Sequence, residues 1–304
     1  IITPKELEKR PELLSQFNIL LNCAGPFSKT VKPILNACLK SETHYLDITG
    51  EIEVFRYCKS LNQDAINSNI IICPGVGFDV IPTDCLAVKL HNYLPEADEL
   101  LLGFESTAGK MSPGTMATSI ESLGFGGKVR MNGKIKKVPL GFKISELNFG
   151  NGLKDMVTIP WGDVATAYYS TNIPNIYVFI PMIDKQLKWL RFFNKIAFLL
   201  RNKFIINFLK GRVKKNIKGP SSKERINSKT FVWGLIKKNN KIFEAKLITS
   251  NGYDVTADGS LSVINIIKDS NMRGGYYTPA QLCGYELIES LPGSSEIIIE
   301  EVSN

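Results

Sequence analysis

At 304 residues with 44% hydrophobic side chains, the chain is long enough to bury a large core and to divide into two domains, which excludes a disordered or fibrous protein. Its net charge of +8 would point to nucleic acid if it were spread evenly, but residues 185–218 hold 11 cations and no acid. The remainder carries 26 basic against 29 acidic side chains, so no nucleic-acid partner is expected.

The first ninety residues alternate helix and strand signals. Residues 4–17 carry helical apolar spacing interrupted at Pro11. The apolar run Ile19-Leu20-Leu21 suits a strand buried on both faces, and a helix is expected from Ser28 to Leu39. Tyr45 to Ile48 reads as a second strand, Glu53 to Asn67 as a helix, Ile70 to Cys73 as a third strand and Asp79 to Tyr93 as a helix. Such alternation implies right-handed crossovers and a parallel sheet with ligands beyond the carboxyl ends of its strands.

Each strand end carries residues suited to a ligand. Asn22, Cys23, Gly25, Pro26 and Phe27 follow the first, Thr49, Gly50 and Glu51 the second, and Gly75 and Gly77 the third. Glycine lets a backbone approach a ligand closely, while Asn, Thr and acids supply directional hydrogen bonds. Ordinary turns use the same residues, and the agreement of three ends at one sheet edge favours a site. Tyr45 and Asp47 fall on one face of the second strand and His44 with Leu46 on the other. Tyr45 and Asp47 are therefore the catalytic candidates, and His44 reads as a packed structural histidine. No Gly-x-Gly-x-x-Gly turn stands early in the chain, so only the nicotinamide half of a dinucleotide site is expected here.

Beyond residue 90 the pattern changes to α+β. Strands are expected at Leu100–Phe104, Val164–Tyr169, Asn175–Ile180, Thr230–Ile236 and Phe243–Ile248, with a short helix from Thr115 to Leu123. Val129 to Ile135 forms a hairpin, because Asn132-Gly133 suits a type I′ turn. Thr278 caps a helix from Pro279 to about Leu291, and Glu296 to Val302 is a final strand. The division is then residues 1–90, the second half of a Rossmann-type sheet; 91–278, a substrate domain with a largely antiparallel sheet; and 279–304, a closing helix and strand.

Six cysteines without a Cys-x-x-Cys pair suggest a reduced, intracellular protein and no metal, and two histidines leave few bases for a triad. The chain opens on Ile1, and is read as part of a longer protein whose leading segment could hold a targeting signal.

The stretches 22–27, 43–51 (Thr-His-Tyr-Leu-Asp-Ile-Thr-Gly-Glu) and 75–84 (Gly-Val-Gly-Phe-Asp-Val-Ile-Pro-Thr-Asp) resemble the saccharopine dehydrogenase-like oxidoreductases, which include trans-acting enoyl reductases of lipid synthesis. Ser112 to Thr115, Gly219-Pro220-Ser221, Val232-Trp233-Gly234, Gly252-Tyr253 with Thr256-Ala257, and Tyr277 to Ala280 extend the resemblance in the same order. It implies a Rossmann domain binding NAD(P), NADP being favoured, with the Gly-rich turn upstream of Ile1. This length of chain alone is then expected to be inactive and to bind cofactor poorly.

Residues 185–217 place Trp189, Phe193, Ile196, Leu200, Phe204 and Phe208 on one helical face among cations. Either a helix lying in the interface of an anionic membrane or lipid droplet, or a core helix with snorkelling cations, fits that pattern. The apolar runs are far short of the ~20 residues that span a bilayer. A hydrophobic, lipid-like substrate, as in glycolipid biosynthesis, follows as the leading expectation for this oxidoreductase, acting in the cytoplasm or peripherally on membranes. A non-catalytic membrane-associated protein and a saccharopine-type amino-acid dehydrogenase are the rivals. A homo-oligomer is compatible with all three.

Overall fold

The computed structural model describes residues 2–107, 120, 124–150, 152–197, 202–216, 219 and 221–302. Helix α1 (Pro4–Lys9) starts at a capping box between Thr3 and Glu6, and Pro11 separates it from a turn of tighter helix over Pro11–Leu14. There follow β1 (Ile19–Asn22), α2 (Phe27–Ser41), β2 (His44–Asp47), α3 (Ile52–Ser60), α4 (Asn62–Asn67), β3 (Ile71–Cys73) and α5 (Ile81–Tyr93). The helix expected over residues 53–67 is thus two helices, broken at Leu61.

Strands β1, β2 and β3 pair in parallel, with β2 beside both others. Alternation sets their two faces. Tyr45 and Ile72 join Val31, Ile34, Leu35 and Cys38 of α2 in one cluster. Leu46, Ile71 and Cys73 join Leu86 and Leu90 of α5 in the other, which continues into the second sheet through Leu102, Ile176, Val178, Val232 and Leu247. Helix α5 is therefore a shared filling between the sheets, and each large side chain buried there contributes about 1.5–3 kcal/mol.

The second sheet contains β4 (Glu99–Ser106), β5 (Gly127–Met131), β6 (Lys134–Val138), β7 (Ile144–Asn148), β8 (Leu153–Ile159), β9 (Asn175–Pro181), β10 (Thr230–Lys238) and β11 (Lys241–Thr249). All its pairings are antiparallel except β4 with β9. The β5–β6 turn has φ +51° at Asn132 and +72° at Gly133, as a type I′ turn requires. Strands β7 and β8 are additions to the sequence reading.

The strand expected over residues 164–169 is instead helix α6 (Asp163–Thr171). Val164, Ala167, Tyr168 and Thr171 recur at helical spacing, and this face packs on α5. Next come α7 (Asp184–Lys195), α8 (Lys203–Asn216) and α9 (Ser222–Ile226), so the basic segment is not one continuous helix. Helix α10 (Gly252–Asp269), not anticipated, is capped by Asn251, whose side chain accepts from the N–H groups of Tyr253 and Asp254.

Strand β12 (Gly275–Tyr276) then pairs in parallel with β3, so the first sheet takes in chain from well past residue 90. The single helix expected from Pro279 to Leu291 is two, α11 (Pro279–Cys283) and α12 (Glu286–Ser290), interrupted at Gly284 with φ +79°. Strand β13 (Ile298–Glu301) closes on β11. The stretch Ser112 to Thr115, nearly all of the helix expected over residues 115–123, and Pro220 lie outside the described residues.

Candidate active site

The carboxyl ends of β1, β2 and β3 form one edge, and a buried polar network ties them together. Asp47 is fully buried. Its Oδ1 accepts from the N–H groups of Thr49 and Gly75, each at 3.0 Å, and its Oδ2 accepts from the Tyr45 hydroxyl at 2.7 Å. The Asn22 amide donates to Tyr45 Oη at 3.3 Å and to Thr30 Oγ1 at 3.2 Å, while its Oδ1 accepts from Ala24 N–H at 3.0 Å. Val76 N–H adds a bond to the Asp47 carbonyl oxygen at 2.8 Å. One carboxyl group thus fixes the β2 loop to the β3 loop and, through Tyr45, to the β1 loop. Burial pushes Asp47 up to about 6 even though these hydrogen bonds favour its charged form.

Tyr45 and Asp47 lie on one face, as alternation predicts, but both are sealed from solvent. In this geometry they position the loops, since every polar atom of the pair is engaged within the protein. His44, on the other side, accepts the Ile71 N–H at Nδ1, and burial lowers its proton affinity.

Glu51 reaches back across the edge. Its carboxylate accepts from Phe27 N–H at 2.8 Å and Ser28 N–H at 3.0 Å, capping the N-terminus of α2. Thr49 is buried, and its hydroxyl accepts from Glu51 N–H at 3.0 Å. The groups left open at this edge are Cys23, Ala24 and Gly25, which are exposed, with Pro26, Phe27, Ile48 and Gly50 half-buried. Above Gly25 there is room: a Cβ there would meet only the Phe27 ring, at 3.7 Å. Burial and the nearby Asp47 charge raise the Cys23 thiol.

Gly75 and Gly77 are enclosed rather than open. Gly75 has φ +79°, and a Cβ on it would lie 2.7 Å from Val80 and 2.9 Å from Phe55. A Cβ on Gly77 would lie 3.0 Å from Thr256. Helix α10 braces this loop: Thr256 Oγ1 accepts from Phe78 N–H at 3.1 Å, and Ser260 donates to the Val76 carbonyl at 2.9 Å. Sequence reasoning named Thr256 only within the family resemblance and missed Ser260, although Asn251 followed by Val255, Gly259, Val263 and Ile267 at spacing four is a readable helix signal. It placed Asp79 at the end of the third strand without a role of its own; the Asp79 Oδ2 would lie 2.5 Å from a Cβ on Gly50. It passed over Gly162, where a Cβ would lie 3.4 Å from the Gly50 carbonyl oxygen.

An open glycine backbone at Gly25, beside the Phe27 ring, is a backbone that could hold the flat end of a ligand. No group of metal-binding side chains occurs among the described residues.

No family model matches the chain. Curated relatives do. The human saccharopine dehydrogenase-like oxidoreductase is 27% identical over 151 residues, 46% of this chain and 34% of that one. A probable mitochondrial saccharopine dehydrogenase-like oxidoreductase of Arabidopsis thaliana is 37% identical over 73 residues, 24% and 16% of the two chains. The trans-acting enoyl reductase of Mycobacterium ulcerans is 32% identical over 89 residues, 29% and 21%. The chain spans about a third of the length of these relatives or less. Among solved structures, apo saccharopine dehydrogenase (L-Glu forming) of Saccharomyces cerevisiae superposes with a TM-score of 0.62 at 10% identity, covering 99% of this chain and 87% of that one. The fold is therefore of the saccharopine dehydrogenase type, a Rossmann-type sheet joined to a larger mixed sheet. Over parts of its length the chain is thus similar to saccharopine dehydrogenase-like oxidoreductases and to trans-acting enoyl reductases.

Proposed function

We propose that the chain forms the nicotinamide and substrate half of an NAD(P)-dependent oxidoreductase that reduces a hydrophobic carbonyl or enoyl substrate. The observation that carries this reading is the braced edge, where Asn22, Tyr45 and Asp47 hold three loops in fixed register and leave Gly25 open. When bound, the cofactor supplies the hydride. The protein's part is then positioning: backbone at 24–25 and the apolar Phe27 and Ile48 bind and orient, and the buried network keeps the loops from yielding. Gly25→Val tests it. A Cβ at this exposed position makes only ordinary contact with the Phe27 ring, so the full-length variant should keep its stability but lose at least tenfold in NADPH affinity by calorimetric titration. Unchanged affinity would falsify the cofactor assignment.

A lipid-like substrate presented at a membrane is the finer reading. Helices α7 and α8 hold Trp189, Phe192, Phe204 and Phe208 at the surface, where Phe204 is 85% and Phe208 65% exposed. Leu187 instead turns inward, and Asn194 bonds the Leu140 backbone, which docks α7 by its other side. This favours an interfacial helix pair over a core helix. The name of the mycobacterial relative is consistent with an enoyl substrate. An amino-acid dehydrogenase remains the rival, and a panel of fatty enoyl against amino-acid substrates separates the two.

A further inference from the structure

Five carboxyl groups crowd the junction of the two sheets, and four are committed or sealed. Asp47 holds the loops and Glu51 caps α2. Asp84 accepts from Ser170 Oγ at 2.6 Å and from Ala280 N–H at 3.0 Å. Asp163 is fully buried with neither oxygen hydrogen-bonded, the neighbouring Thr83 hydroxyl being turned to the Val80 carbonyl. Of the five, Asp79 alone is partly open to solvent and has no hydrogen bond or ion pair among the described residues. Its carboxyl lies against Gly50, at the edge that carries Gly25.

Next to it runs a row of half-buried aromatic rings. Phe78 meets Phe104 edge-on at 5.4 Å, and Phe104 lies 4.9 Å from Trp161. The row is fixed at both ends. Phe78 packs on Gly252, where a Cβ would come within 3.0 Å of the ring, and Trp161 precedes Gly162, whose built Cβ lies 3.4 Å from the Gly50 carbonyl. The rings therefore extend from the parallel-sheet edge on to the second sheet, with Asp79 at the end beside Gly50.

We propose that Asp79 is the acid that touches the substrate, its carboxyl hydrogen-bonding the substrate carbonyl oxygen while the apolar part of the substrate lies along Phe78, Phe104 and Trp161. This assignment rests on the oxidoreductase reading above. A carboxyl group can donate such a bond only when protonated, and burial raises Asp79 to about 6. Titratable neighbours on the packed elements are Asp163 of α6 and Asp84 of α5, both pushed up by burial, whereas α10 presents the uncharged Thr256. No cation among the described residues pairs with Asp79 to hold it ionised.

The test uses the full-length protein saturated with NADP+ and titrated with methyl nonyl ketone, an apolar carbonyl compound that an oxidised cofactor cannot reduce. Binding is read from Trp161 emission, isolated as the difference between the parent and Trp161→Phe. Ketone affinity should fall about tenfold per pH unit above the Asp79 midpoint. Asp79→Asn should still bind ketone but lose this dependence, and Phe104→Leu should weaken binding at every pH with the slope intact. A flat pH profile in the parent, an equal slope in Asp79→Asn, or unchanged affinity in Phe104→Leu overturns the assignment. If calorimetry shows that NADP+ itself does not bind, the oxidoreductase reading fails and this one with it. If NADP+ binds and the ketone profile is flat, only the role of Asp79 is lost.

Discussion

Asp47 binds its proton more tightly in the folded chain than in the unfolded one, because burial outweighs three hydrogen bonds to its carboxyl. A raised folded value means that its contribution to stability is full below the unfolded value near 4 and is lost as pH rises through about 6. Roughly two pH units at 1.36 kcal/mol each make this about 3 kcal/mol. Asp47→Asn cannot titrate, so the parent should lose stability relative to this variant as pH rises from about 4 to about 6, with a constant gap above that. Denaturant melts across this range provide the check, and parallel curves would refute it. The shared face of Tyr45 and Asp47 was legible from strand alternation alone. Their burial was not, because the groups that seal and satisfy them, Asn22, Gly75 and Thr49, come from the end of β1 and from two different loops. Asp79 was visible at the end of the third strand, but its lack of a partner among the described residues was not, because that depends on how the elements around it pack.

At the scale of elements, Glu51 couples the second loop to the start of α2. Its two charge-assisted bonds satisfy N–H groups that would otherwise lack an intrahelical partner. Glu51→Ala should cost about 0.5–2 kcal/mol in chemical denaturation, in the range of helix caps. It should also weaken NADPH binding by loosening residues 23–28, and Glu51→Gln should recover part of both losses. A loss of affinity with no loss of stability would mean that Glu51 meets the ligand itself. Elements with a stringent local signal were readable in advance. Asn132-Gly133 is one, since two successive positive φ values exclude nearly every other pair. Helix α6 was misjudged because its β-branched and aromatic residues suggest a strand, whereas its burial follows the helical spacing of Val164, Ala167 and Thr171. The break at Gly284 was passed over because one glycine is tolerated in many helices.

At the scale of the whole molecule, cations concentrate in residues 185–218, the segment that also carries the exposed Trp189, Phe192, Phe204 and Phe208. No described helix is long and apolar enough to cross a membrane. Full-length protein should float with anionic liposomes at low salt and release as ionic strength rises. Trp189→Ser with Phe208→Ser should abolish flotation without lowering the melting temperature, both side chains being more than half exposed. Lys185→Glu with Lys188→Glu should reduce flotation and weaken its salt dependence. Absence of flotation by the folded parent at low salt would leave these helices without a lipid partner.

The strand Gly275–Tyr276 also bears on how the chain reaches this structure during synthesis. Gly274 N–H bonds Asn69 Oδ1 across 205 positions of sequence, and Gly275 and Tyr277 continue the contact by donating to the Ile70 and Ile72 carbonyls. Until that distant segment has left the ribosome, β3 is an uncovered edge with free backbone groups beside an apolar face. Contacts of such separation slow folding, since chain entropy is lost well before they form. The nascent chain therefore passes through a long interval in which its first sheet has an open, adhesive side, and chaperone dependence should end only when residues 274–277 emerge and dock.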